Sequence, residues 1–167
     1  MNNIHQDKNL RIATAAAVVA ALAFGAVRAA PPPLPEDLSD FRHIHSFVID
    51  DKDNPLFGFH HFYINDTGME AFHEGTTPYP EGTVFLGAVY QVERDGGQVN
   101  EGAGAGFTLM RKDPDASATG GWAFAQYTPD GQLVEQDEAQ ACFQCHTQVK
   151  DQDYVFSRPL GMELPHP

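Results

Sequence analysis

The chain has 167 residues, with 10 Lys and Arg against 23 Asp and Glu and a formal net charge of −13. That length supports one domain with a real core and is too short for two once a leader is removed. So acidic a chain repels phosphate backbones and anionic lipid heads, which argues against nucleic acid or a membrane surface as partner and suits a basic redox partner.

At the N-terminus, Lys8 and Arg11 precede the small and apolar run "IATAAAVVAALAFGAV", and Val27-Arg28-Ala29 offers small side chains where a signal peptidase reads. The run is Ala-rich and shorter than the roughly 20 strongly apolar residues of a spanning helix. Residues 1–29 are therefore expected to be a signal peptide cleaved after Ala29, which places the mature protein in the periplasm. Cleavage leaves 138 residues and removes Lys8, Arg11, Arg28 and Asp7, so the charge goes from −13 to −15.

Residues 30–40 form a proline-rich leader, "APPPLPEDL" at its heart, which proline bars from helix or central strand. Residues 41–167 are the expected domain. "PLFGFHHFYIND" predicts a strand in which Phe57, Phe59, His61 and Tyr63 share a face. "NDTGMEAFHEG" predicts a short helix with Asp66 as N-cap and Gly75 as terminator. "TVFLGAVYQVER", "GAGFTLMRKD" and "GWAFAQYTPDG" predict three more strands. "DEAQACFQCHTQVK" predicts a C-terminal helix, acidic at its start and basic at its end. The pattern is α+β, mainly an antiparallel sheet with a few short helices.

The only two cysteines, Cys142 and Cys145, stand in "ACFQCHTQVK" on that last helix. A zinc site needs a second ligand pair, and neither His43 with His45 nor His60 with His61 has the spacing for one. A redox CxxC of the thioredoxin type opens a helix after an early strand rather than lying inside the last helix. C-x-x-C-H accounts for all three residues together: Cys142 and Cys145 as thioether anchors of one haem c, and His146 as iron ligand. Met69, Met110 and Met162, or His60 and His61, are the available groups for the sixth position. Arg42, Arg111 and Arg158 are candidates for holding the haem propionates.

The motifs "FGFHHFYIND", "YPEGTVFLGAVY", "GGWAFAQYTPDGQ" and "CFQCHTQVKDQDYVFSRP", in this order, resemble the cytochrome P-460 and cytochrome c-prime-beta family over about residues 40–160. The resemblance implies a mainly antiparallel β fold, a single c-type haem on proximal His146, an open distal side and a homodimer. Members that oxidise hydroxylamine carry a lysine joined to the haem on the strand after the "YPEGTV"-like turn, where this chain has Gly87. The mature chain's lysines are Lys52, Lys112 and Lys150, none on that strand. What remains resembles the branch with an apolar cap over the iron: Phe57 aligns with a distal aromatic, and Phe59 and His61 share its expected face.

The function expected is an exported c-type cytochrome that binds NO or a similar small ligand at an open distal site. A haem-free domain held by a Cys142–Cys145 disulfide is a third alternative beside two haem-based ones. One is an electron carrier with six-coordinate haem; the other is an enzyme oxidising hydroxylamine or using peroxide, with His61 or Glu70 handling protons.

Overall fold

A computed structural model describes residues 29–134 and 138–159 of the chain. The signal peptide lies outside the described residues except for Ala29, as does Met162. Five strands run as one antiparallel meander in the order β1 (Phe41–Ile49), β2 (Gly58–Asn65), β3 (Val84–Asp95), β4 (Gln98–Lys112) and β5 (Trp122–Tyr127). Helix α1 (Asp66–Glu74) follows β2, and α2 (Glu138–His146) follows β5 and runs into a 3-10 segment at Thr147–Gln152. The α+β expectation holds. Among the described residues no helix is long and apolar enough to cross a membrane.

Strand β1 was not among the four expected strands. Its sequence, "FRHIHSFVI", mixes Arg, Ser and two His into apolar positions, so neither period stands out. It forms because β2 offers it an edge, with Phe47 opposite His60 and Val48 opposite Phe59. The start of α1 also moves by one residue. Asn65 occupies the N-cap without capping the helix; its side chain instead donates to the Gly82 carbonyl at 2.9 Å and accepts from the Val84 amide at 2.9 Å. Gly75 ends α1 in the left-handed conformation, as expected.

Alternation gives the sheet two unlike faces. On one, Ile64, Phe85, Met110, Trp122 and Phe124 join Phe72 of α1 and Val155 in the main core, with Cys142 and Phe143 of α2 packed against it. On the other, Leu86, Leu109, Ala125 and Tyr127 gather beside Tyr63, Phe107 and Leu34. Leu34 belongs to the proline-rich leader, and Pro32 is fully buried with its carbonyl accepting the Tyr127 hydroxyl at 2.7 Å. The leader is thus an arm laid along the face away from α2.

Tyr79 joins the main core on the loop between α1 and β3, its ring against Phe85 and Trp122. Burial, and then the Asp153 carboxylate, push its phenol up to about 12. The folded state thus holds a proton that the unfolded chain releases near pH 10, so this contribution is complete below pH 10 and lost as pH rises through about 12. An ultraviolet pH titration is expected to show one tyrosine ionising near pH 12, with unfolding midpoints falling above pH 10; an ordinary titration of every tyrosine would refute the burial argument.

Candidate functional site: the C-terminal cysteine–histidine helix

Cys142 and Cys145 lie about one turn apart on α2, Cys142 half-buried against the core and Cys145 exposed. No disulfide joins them. His146 ends the helix with its ring between two aromatic side chains, Phe124 of β5 at 5.2 Å and Phe156 at 5.1 Å. Burial pushes its imidazole down from the ordinary histidine value, favouring the neutral form. Its Nδ1 lies 2.6 Å from the Tyr154 carbonyl and, with only an acceptor facing it, carries the proton. That leaves a lone pair on Nε2, the state in which histidine ligates a metal.

The carbonyl that sets this tautomer is itself held in place. Asp153 and Tyr154 both have positive φ, 52° and 64°, an unusual pair for residues with side chains. The Asp153 carboxylate holds them there by accepting from Lys112 Nζ of β4 at 2.5 Å and from the Tyr79 amide at 2.8 Å. Lys112 Nζ also stands 4.9 Å above the Trp122 ring. The Tyr154 ring rests at Gly120, where an added Cβ would come within 2.3 Å of it, and beside Phe143. So β4, β5 and the Tyr79 loop jointly aim one backbone carbonyl at His146.

The sheet face carrying Phe124 continues past the core as a shelf. Register places His45, Phe62, Gly87 and Thr108 in one row across β1 to β4, with Phe47, His60 and Val89 in the next. His45, Phe47, His60 and Phe62 stack nearly parallel, with centroids 5.0–6.1 Å apart. His45 Nδ1 is buried on this shelf without a hydrogen-bond partner, and burial followed by nearby His43 lowers its pKa. His60 Nε2 meets the Leu56 carbonyl at 2.8 Å.

Of the distal residues named from sequence, Gly87 lies on this shelf and the others do not. Phe59 and His61 point to the opposite face, as their pairing with Tyr90 and Ala88 of β3 requires. His61 is held there by Ser46 and Glu101. Phe57 precedes β2, half-buried, with its amide on the Asn54 carbonyl. The expected common face of β2 is real for Phe59, His61 and Tyr63, and it is the face opposite the shelf. Phe62 and His60, one residue out of phase, take the place on the shelf. The parity of β2 relative to the helix that follows β5 is not visible in either segment alone.

Met110 is buried in the core and Met69 packs against it. Arg111 is engaged with Asp113, Arg42 with Asp66, and Arg158 is exposed. Beside α1 and β1, a cavity of about 390 Å³ is lined by Arg42, His43, Ile44, Met69, Phe72, His73 and Pro159.

Gly87 leaves no room for a side chain as the shelf stands. An added Cβ would lie 2.6 Å from Thr108 Oγ1 and 3.0 Å from the Phe62 ring. Gly87→Ala is expected to cost about 1–3 kcal/mol as an overpacking change. Thr108→Ala in the same chain should recover much of that loss. Denaturant midpoints of the two single variants and the double decide it, since simple additivity would mean Thr108 is not the obstacle.

A model of the cytochrome P460 family matches residues 35–157. No curated protein matches the chain.

Proposed function

This chain belongs to the cytochrome P460 family and is a haem-binding cytochrome; from that premise we propose that it carries one covalent haem c and binds NO or a similar small uncharged ligand on an open distal side. Cys142 and Cys145 would form the two thioether bonds, and His146 Nε2 would be the proximal ligand. The observation that carries the reading is the His146–Tyr154 contact of 2.6 Å, which supplies the carbonyl partner that metal-bound imidazoles take at their second nitrogen. The buried, unpartnered Nδ1 of His45 on the shelf fits a bound group that brings polar atoms to this face.

Bound haem would supply an iron that takes small ligands and cycles between ferrous and ferric states. The chain's own part is selection. Phe47 and Phe62 put apolar rings on the shelf between His45 and His60, and where the rings face a ligand they offer water and anions few hydrogen bonds and so favour uncharged diatomics. Gly87, crowded by Thr108 and Phe62, supports a haem without a lysine cross-link, and Lys112 is committed to Asp153. Both features weigh against hydroxylamine oxidation. The packing of Met110 and Met69 into the core weighs against a six-coordinate electron carrier.

Export to the periplasm, a homodimer and a basic redox partner complete the proposal, the last suited to the net charge of −13. The test is the optical spectrum of the reduced protein with and without CO or NO. A five-coordinate spectrum that shifts on adding either gas is expected. A low-spin spectrum in both oxidation states that ignores CO would overturn the open distal side.

A further inference from the structure

The face of the sheet turned away from α2 carries a chain of polar side chains that the proposed haem site does not use. His43 Nε2 lies 2.7 Å from Ser46 Oγ, and Ser46 Oγ lies 2.6 Å from His61 Nδ1. His61 Nε2 lies 2.6 Å from Glu101 Oε1. These residues come from β1, β2 and β4, and they meet only because the meander brings them to one face. Tyr63 stands edge-on to the His43 ring and Tyr90 edge-on to the His61 ring, holding both orientations.

Two imidazole nitrogens thus converge on a single point, occupied by a hydroxyl that one side-chain rotation moves aside. We propose that His43 and His61 form a site for one divalent first-row transition-metal ion, with Ser46 beside the ion and Glu101 orienting His61.

The chemistry is that of a borderline-soft cation. Imidazole suits copper and zinc, and at a given site copper(II) binds most tightly of the series. Ligand bonds of about 2.0–2.1 Å require each nitrogen to move in by roughly half an ångström. The ring centroids, now 6.0 Å apart, need only a small rotation for that. Glu101 accepts a hydrogen bond from the Nε2–H of His61, which leaves the lone pair on Nδ1 for the metal and makes the carboxylate–histidine–metal arrangement that orients ligands elsewhere. His43 would bind through Nε2 with its own proton on Nδ1. Among the described residues no group of three imidazole, thiol or carboxylate side chains is placed to hold an ion. The site is accordingly a two-imidazole one, open on its solvent side and completed by water.

The same four residues also present a serine beside a histidine and a carboxylate, the order of parts in a nucleophilic hydrolase. Two imidazole nitrogens rather than one meet the Ser46 hydroxyl, which is the arrangement of a metal site, so the metal reading is the one favoured.

The experiment titrates untagged, haem-loaded protein with cupric ion alone, read by calorimetry and by electron paramagnetic resonance. One copper per chain with two coordinated imidazole nitrogens is expected. His43→Phe and His61→Phe, which keep a ring in the aromatic packing, are each expected to weaken it at least tenfold with the haem spectrum unchanged. Glu101→Gln should weaken it about 10–100-fold, the usual loss for an outer partner of a ligand. Ser46→Ala should bind at least as tightly. Unchanged affinity in both histidine variants overturns the proposal. So does covalent labelling of Ser46 by an alkyl fluorophosphonate that disappears in His61→Phe, which would assign the cluster to nucleophilic chemistry.

Discussion

Asp153→Ala is expected to destabilise the haem-loaded protein by about 3 kcal/mol, the low end for breaking a buried pair, because it removes one partner of a part-buried ion pair and leaves the other charge uncompensated. The side chains of Asp153 and Lys112 are only 9% and 15% exposed, so water does little to replace the lost contact. The Tyr79 amide loses its acceptor at the same time. Asp153→Asn, which keeps an acceptor without the charge, should fall between wild type and Asp153→Ala. Guanidinium unfolding checks the ranking, and a loss of less than about 0.5 kcal/mol for Asp153→Ala would place the residue among ordinary surface positions.

A second consequence reaches His146. Without the carboxylate, the left-handed backbone at Asp153 and Tyr154 relaxes and the Tyr154 carbonyl is no longer held at Nδ1. The imidazole then becomes a poorer electron donor. The midpoint potential of Asp153→Ala is expected to rise, whereas a purely structural residue remote from His146 would change stability and leave the potential alone.

Trp122→Ala is expected to cost a similar amount, about 3–5 kcal/mol, the usual range for emptying a large aromatic from a core. Trp122 is fully buried, with Tyr79 and Phe85 each 6.0 Å away between ring centroids. It also lies under Lys112, so it shares a partner with Asp153. The double variant Trp122→Ala/Asp153→Ala should therefore depart from the sum of the singles by about 0.5–3 kcal/mol. Losses that simply add would show that the cation above the ring and the carboxylate act separately.

Much of this fold could be read residue by residue. The β-branched and aromatic run of β3 and the left-handed stop at Gly75 are local signals, and local signals survive without knowledge of the rest of the chain. Strand β1 was missed for the converse reason. Its polar residues are not surface decoration: Ser46 and His43 reach for His61 across the sheet, and His45 and Phe47 stack on β2. A strand whose polar positions are satisfied by another strand carries no period of its own.

The site divides along the same line. Cys142, Cys145 and His146 could be singled out because C-x-x-C-H is a pattern of spacing within one helix. The choice between Phe62 and Phe59, or between His60 and His61, was not legible, because adjacent strand residues face opposite ways and only the packing of α2 against β5 decides which side is which. Asp153 and Tyr154 gave no signal either, since an acidic residue before a tyrosine looks like any loop until Lys112 is brought to it from β4.

By itself, then, the sequence determined the C-terminal helix with its C-x-x-C-H pattern, the α+β character and the absence of a lysine at position 87, all matters of residue type and near-neighbour spacing. Tertiary structure alone decided which aromatic rings line the shelf, what holds the His146 tautomer, and that His61 turns away to meet Ser46 and Glu101. Those depend on sheet parity and on contacts between residues 15 to 74 positions apart, which the chain encodes only through its folding.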